Sequence, residues 1–252
     1  MDTHKKSFVL ANNRMDFITE RDCRRADNMI EAAKTICQVL PRHGYILDFF
    51  NDCIAFASDS LGALLGISCR EIEEMGYDFY DKYILPQDVE MIEDFRRETC
   101  NMFMSHPTLR GELYRLDSHI HLLTPRGYRL FHHTSFPLLW SESGYVMAVT
   151  CRLAPSTSKV SGEASLFLPA QNKLYKYTTG QHRWQHTILP TLTQKEKDLV
   201  RLSAQGLIAD EIAGAMGKST ESIKLYKKGL FKKLGVRNMP AAITYVFNHN
   251  LL

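Results

Sequence analysis

The chain reads as an α+β domain followed by an all-α four-helix domain, and three observations carry that expectation. Short β-type runs punctuated by turn residues fill its middle, apolar spacings of three and four dominate residues 192–252, and the two regions carry opposite net charge. Residues 1–154 hold 17 Lys and Arg against 22 Asp and Glu, whereas 192–252 hold 10 against 5. The overall charge of +3 therefore hides a basic C-terminal region, where a polyanion would be met.

At 252 residues with 44% hydrophobic content, the chain is long enough for two ordinary folded domains. No apolar run approaches the roughly 18 residues of a membrane span. Residues 1–13 lack the basic, apolar and small-residue regions of a signal peptide, so a cytoplasmic protein with no membrane partner is expected. Six cysteines (Cys23, Cys37, Cys53, Cys69, Cys100, Cys151) are scattered without a C-x-x-C pair, which predicts reduced thiols rather than a zinc or redox site.

Residues 1–41 form an N-terminal helical segment in this reading. Ala26, Met29, Ile30, Ala33, Ile36, Cys37 and Leu40 make an apolar stripe from about Asp16 to Leu40 that Pro41 ends. Packing of that stripe on its own domain is preferred over a dimer-forming helix pair, since too few heptads are present for a coiled coil.

Two strands follow, 45–50 and 53–57, split by Asn51-Asp52. Ser58 to Leu65 reads as a helix closed by Gly66, and Ser68-Cys-Arg-Glu71 as a capping box opening another. A longer amphipathic helix is predicted from Asp88 to about Phe103. Strands at 111–123 and 128–139 flank Thr124-Pro-Arg-Gly127, where Pro suits the second turn position and Gly accepts positive φ. A third, 145–153, follows Ser141-Glu-Ser-Gly144.

The run Ile54-Ala-Phe-Ala-Ser-Asp-Ser-Leu-Gly-Ala-Leu-Leu-Gly-Ile-Ser68, the Ile84-Leu-Pro-Gln-Asp88 entry to a helix and the three-strand meander together resemble a PAS sensor domain over residues 42–154. That resemblance implies either a small interior cavity or a sheet face offered to a partner. Phe49, Phe50, Phe56, Tyr80, Phe131, Phe136 and Trp140 would line such a cavity or simply fill the core. Residues 155–191 have linker composition at first and then short strands, around 166–168, 174–177 and 183–186.

In 192–252, Thr193 with Glu196 predicts a capping box, Gly206 ends the first helix, and the second runs from about Ala209 to Met216. Gly217 makes the turn and Ser219 caps a third helix. Ile223, Leu230 and Leu234, spaced i, i+7, i+11, face inward, leaving Lys224, Leu225, Lys228 and Lys232 on the opposite face. Six lysines and one acid lie between Lys218 and Lys233. A short turn joining a crossing helix to a basic one is the arrangement that presents a recognition helix to the major groove.

Leu192-Thr-Gln-Lys-Glu-Lys-Asp-Leu199, Gln205-Gly206, Asp210-Glu-Ile-Ala213 and the stretch from Ser219 through Leu234-Gly235-Val236 resemble the LuxR-type DNA-binding domain across the whole of 192–252. The predicted fold class is thus an α+β PAS-like sensor domain followed by an all-α four-helix LuxR-type helix-turn-helix domain. By that resemblance Lys224, Leu225 and Lys228 face base edges, while Ser222, Tyr226, Lys227 and Lys232 lie near phosphates. It also implies that the last helix, through Ala242, Ile243 and Val246, pairs two copies on a two-half-site operator; the alternative is that this stripe only covers the third helix. Three departures stand out: Ile208 and Ala209 where a capping residue is usual, Gly229 in mid-helix, and Tyr226 in place of a commoner histidine.

Two other motifs are tested and set aside. Gly214-Ala-Met-Gly-Lys-Ser-Thr220 contains a glycine-lysine-serine triplet, but the Walker pattern requires glycine at the position of Ile212 and a strand before the loop. His119, His121 and, if Leu123 pairs with Tyr128, His132 share a strand face and are candidate metal or haem ligands. A one-residue slip would separate them, and no metal is assigned. No cofactor is required by the sequence, and no nucleophile-elbow or triad pattern suggests an enzyme.

The expected function is sequence-specific DNA-binding transcription regulation as a homodimer on double-stranded DNA, with a small-molecule ligand or protein partner at the sensor. The alternative is an interaction adaptor whose basic helix meets an acidic partner.

Overall fold

The computed structural model describes residues 18–39, 43–156, 158 and 160–252. The chain divides into two compact units, one reaching to residue 186 and the other comprising 187–252, with 171–173 clustering with the second.

The first unit is an α+β fold on one sheet of eight strands, β1 (His43–Asp48), β2 (Cys53–Ala57), β3 (Arg115–Thr124), β4 (Gly127–Trp140), β5 (Val146–Pro155), β6 (Ala164–Leu168), β7 (Lys173–Thr178) and β8 (Arg183–Thr187). Their order across the sheet is β2-β1-β5-β4-β3-β6-β7-β8, and the ladders joining β1 to β6 are antiparallel. Leu123 pairs with Tyr128 and His119 with His132, as the turn spacing requires. Gly127 in that turn has φ +90°, which a Cβ would strain.

The stretch expected as a linker with short strands also extends the sheet. From Ala164 onward it supplies β6, β7 and β8, and β6 pairs with β3 so that Leu116 faces Leu166. Leu166 and Leu168 are buried in the main core of this unit. Strand β3 buries Leu116, Ile120 and Leu122 on one face, and its edge away from β4 is closed by pairing with β6.

Helix α1 spans Glu20–Val39; the expected start at about Asp16 lies outside the described residues, and Ile18 and Thr19 precede the helix. A cap opens it: Thr19 Oγ1 accepts from Asp22 N at 3.1 Å and Asp22 Oδ2 accepts from Thr19 N at 3.1 Å. Asp22 Oδ1 also accepts from Glu142 N at 2.9 Å, tying the helix to the β4–β5 turn. Only half of the expected stripe is buried. Ala26, Ile30 and Ala33 pack on one sheet face with Ile46, Phe56, Ala148 and Met147, while Met29 and Ile36 are exposed. Leu40 and Pro41 lie outside the described residues.

The other face is covered by α2 (Asp59–Leu65), α3 (Cys69–Met75), α4 (Asp78–Tyr83) and α5 (Pro86–Ser105). Ser68 and Glu71 form the predicted reciprocal capping box. Helix α4 has no counterpart in the sequence reading, yet it buries Phe79 and Tyr80 completely; six residues are too few to show a 3.6-residue period. Strand β3 begins at Arg115 rather than Gly111, because a 3-10 turn at Pro107–Leu109 and Gly111 at φ +81° precede it. Outside α5, Tyr177 of β7 and Trp184 of β8 meet Phe95 edge-on at ring-centroid distances of 6.3 and 6.5 Å.

The second unit contains α6 (Gln194–Ala204), α7 (Ala209–Met216), α8 (Thr220–Leu234) and α9 (Met239–Asn248). Leu192, Leu199, Val200, Ile212, Ile223 and Leu230 belong to its core. Among the described residues no helix is long and apolar enough to cross a membrane.

Candidate nucleic-acid interface

Helix α8 is fixed at both ends by its own sequence. Ser219 Oγ accepts from Ser222 N at 3.3 Å, so the serine of the glycine-lysine-serine triplet serves as an N-cap. Gly235, at φ +69°, closes the C-terminus in the left-handed conformation. Ile223, Leu230 and Leu234 are buried as their spacing demands, which turns Glu221, Lys224, Leu225, Lys228 and Lys232 to solvent.

Two polar ties orient α8 against its neighbours, and neither is visible as a sequence motif. Thr220 Oγ1 donates to Asp210 Oδ1 at 2.6 Å, joining the starts of α7 and α8. Lys233 Nζ donates to Glu196 Oε2 at 2.7 Å, and the same carboxylate accepts from Thr193 N at 2.7 Å in the capping box of α6. Partial burial works against the Glu196 charge, but Lys233 and Thr193 outweigh it and hold the carboxyl below its usual pKa. Lys233 is thereby committed to helix packing. The adjacent start of α7 has no side-chain cap at Ile208; Ile208 N instead donates to Glu211 Oε2 at 2.9 Å.

The outward face thus presents three exposed lysines, Lys224, Lys228 and Lys232, around a projecting aliphatic chain, with Leu225 67% exposed. Lys224 Nζ donates to Glu221 Oε1 at 2.7 Å across an exposed turn, a contact that water and salt weaken and a competing anion can replace. Ser222, Tyr226 and Lys227 flank this face and are half-buried, Tyr226 packing against the core. Gly229 is exposed, and a Cβ built there meets nothing within 4 Å.

The expected pairing face on α9 needs correction. Ala242 and Val246 are 0% exposed, buried in the core of their own unit, and cannot meet a second copy without opening that core. Ile243 is half-buried, and Phe247 is the exposed apolar side chain of this helix. A helix of ten residues with an apolar stripe covers its own small domain first, because α6 and α8 have no other lid.

The three histidines each have a partner in the first unit. His132 Nε2 is 2.9 Å from Asp117 Oδ1, His119 Nδ1 is 2.9 Å from Ser156 Oγ, and His121 Nδ1 is 2.9 Å from Asp88 Oδ2. The His119 and His132 rings stack with centroids 5.1 Å apart, whereas His121 turns to the start of α5. Burial opposes the Asp117 charge, but His132 and Arg115 hold its pKa down at about 2. Among the described residues no group of three or more His, Cys, Asp or Glu side chains is placed to hold a metal ion.

A second polar centre, inside the first unit, joins four elements. Arg96 Nη2 of α5 donates to Tyr80 Oη of α4 at 2.9 Å, Tyr80 Oη lies 2.8 Å from Tyr45 Oη of β1, and Tyr45 Oη lies 2.9 Å from His133 Nε2 of β4. Burial, aided by the charge of Arg96, pushes the His133 pKa down to about 3, so its ring is neutral at physiological pH. Sequence reading singles out only Tyr80 of these four. No spacing connects positions 45, 80, 96 and 133, and the sheet register alone brings them together. Of the other expected lining residues, Phe131 is buried and Phe49 and Trp140 are partly buried in the main core. Phe56 faces α1, Phe50 is exposed and Phe136 half-buried.

Residues 190–246 match the family described as bacterial regulatory proteins, luxR family, and the second unit is a LuxR-type helix-turn-helix domain. The response regulator protein VraR of Staphylococcus aureus (strain Mu3) is 33% identical over 61 residues, covering 24% of this chain and 29% of that protein. VraR of Staphylococcus saprophyticus gives the same figures; the chain thus spans 29% of the length of these curated relatives. Among solved structures, a VqmA dimer of Vibrio cholerae without target DNA is 14% identical with TM-score 0.34, covering 86% of each chain. The phage VqmA–DPO complex is 18% identical with TM-score 0.33, covering 91% of each. Escherichia coli SdiA is 12% identical with TM-score 0.26, covering 64% of this chain and 91% of its own.

Proposed function

We propose that this chain is a sequence-specific, DNA-binding transcription regulator whose N-terminal unit is a PAS-like sensor. The single observation that carries the DNA-binding half is the outward face of α8: Lys224, Leu225, Lys228 and Lys232 exposed together on the helix that follows the turn of a LuxR-type domain. Lys224 and Lys228 read acceptor atoms on base edges, guanine N7 and O6 being the natural targets of a lysine, and Leu225 meets a thymine methyl. Lys232, Lys227, Ser222 and Tyr226 hold phosphates and supply the salt-dependent part of affinity. The fit to a LuxR-type domain favours a nucleic-acid partner over an acidic protein.

The sensor half is supported by the element order, two strands, then helices, then a three-strand meander, and by the polar centre under α5. A ligand or partner there acts by favouring one of two states that differ in DNA affinity. The chain works in the cytoplasm as a homodimer on two half-sites, with Ile243 and Phe247 the outward apolar positions of α9 for that contact.

The test is duplex binding by the full chain, first selected against a random library and then titrated with salt. Lys224→Ala and Lys228→Ala should each lower affinity for the selected sequence by about 1–3 kcal/mol and relax preference at one position. Lys232→Ala should weaken all sequences alike and reduce the salt slope by about 1. Unchanged specific binding in the first two variants would overturn the recognition-helix assignment.

A further inference from the structure

The space beside Arg96 has a chemistry of its own. A hollow of roughly 40 Å³ lies between α5 and the sheet, with Arg96, Thr99 and Ser135 as polar walls and Phe49, Leu116 and Val149 as apolar ones. A second, of roughly 30 Å³, shares Thr99, Cys100, Tyr114 and Val146 with it and is closed by Phe103 and Trp140. A water needs about 10–15 Å³, so the two hollows together have room for roughly five to six non-hydrogen atoms.

Arg96 is 8% exposed. Its guanidinium sits over the Tyr80 ring, 5.1 Å from the centroid, and donates to the Tyr80 hydroxyl. Burial works against its charge, but Tyr80, Cys151 and Tyr45 outweigh that, and its pKa lies above the ordinary value. A permanent cation in apolar surroundings discriminates strongly by charge, because water screens it little and a charge-assisted bond there is worth more than a neutral one. One turn further along α5, Thr99 supplies a readout. Thr99 lines both hollows, and its Oγ1 donates to Phe95 O at 2.6 Å and accepts a hydrogen bond from Trp184 Nε1 at 3.2 Å. Trp184 belongs to β8, the last strand before the DNA-binding domain.

We propose that these hollows are the effector site, that the effector is a short-chain monocarboxylate whose anion pairs with Arg96, and that the Thr99–Trp184 hydrogen bond reports its binding to β8. The inference rests on the sensor reading of this unit and adds the ligand class to it. The carboxylate takes guanidinium N–H donors, its two- to three-carbon body fills the apolar end against Val146 and Trp140, and Thr99 yields or re-aims its hydroxyl as the space fills.

Of the two tryptophans of the chain, Trp140 lines the smaller hollow and Trp184 is hydrogen-bonded to Thr99, so intrinsic fluorescence of the full-length protein follows binding. Propionate and butyrate are titrated against propionamide and butyramide, which keep the shape and lose the charge. The expected result is saturable binding of at least one acid, with its amide weaker by about tenfold or more. Arg96→Met should erase that preference, and Thr99→Val should retain the preference while the Trp184 signal disappears. If Arg96→Met does not fold, the acid-to-amide ratio in the natural protein decides. Absence of saturable binding by either acid overturns the inference, as does an amide that binds equally well or an acid preference that survives in Arg96→Met. An amide binding in the hollows would sink the anion assignment and leave the sensor reading standing. Loss of any ligand effect on DNA affinity, whatever binds, would sink the sensor reading itself.

Discussion

Around α8 the core of the C-terminal unit is aliphatic, with Leu199, Val200, Ile212, Ile223 and Leu230 packed together and Lys224, Lys228 and Lys232 exposed. Under α5 of the N-terminal unit the core instead contains Arg96, Thr99, His133 and Ser135 and two hollows. On the proposed function, the contrast separates stability from recognition in one unit and merges them in the other. A domain that reads a polyanion keeps its chemistry on an exposed face, where charges cost little to solvate and meet phosphates directly. A domain that encloses a small effector must bury polar groups, and each needs a partner to be tolerable.

The sharpest way to break that contrast is to damage the aliphatic core. Ile223→Ala should destabilise the C-terminal unit by about 2–5 kcal/mol, read as an earlier helical transition in urea together with loss of duplex binding. A change below about 1 kcal/mol would mean that this core is looser than its burial implies.

A smaller effect, confined to acid, is expected in the N-terminal unit. Between the usual histidine pKa of about 6.5 and the His133 value of about 3, the unfolded chain binds a proton that the folded chain refuses. Folding stability therefore falls as pH drops through that window, by roughly 1.4 kcal/mol per unit at most. His133→Phe should flatten urea midpoints between pH 6.5 and 4, while costing about 1 kcal/mol at neutral pH through the lost Tyr45 contact. A slope as steep as that of the natural protein would assign the acid sensitivity to other groups.

The smallest change is a gain. Gly229→Ala adds a methyl where nothing lies within 4 Å and removes a backbone freedom that costs about 1 kcal/mol in mid-helix. The variant should raise the thermal midpoint of the C-terminal unit. A lowered midpoint would show that α8 is not a regular helix there in solution.

The C-terminal domain was largely legible because its signals are local. Thr193 with Glu196, Ser219 and Gly235 bracket their helices within four residues of sequence, and the spacing of Ile223, Leu230 and Leu234 fixes which face of α8 sees water. What misled was α9, where the same apolar stripe serves a partner or its own core, and only burial of Ala242 and Val246 decides. In the N-terminal unit the turn Thr124–Gly127 was enough to set the register that places His119 opposite His132. Helix α4 was too short to show a period, and although short strands were legible around 166–168, 174–177 and 183–186, no local pattern said that they join the sheet through β3.

The sequence by itself determined the order of most elements, the caps and turns, the basic face of α8 and the separation of charge between the two regions, since each depends on residues a few positions apart. The tertiary structure alone decided that 164–187 continues the sheet, that Lys233 is committed to Glu196, and that Tyr45, Tyr80, Arg96 and His133 converge in one buried chain. Those contacts span four elements, and their register follows from strand pairing and helix packing that no local pattern encodes.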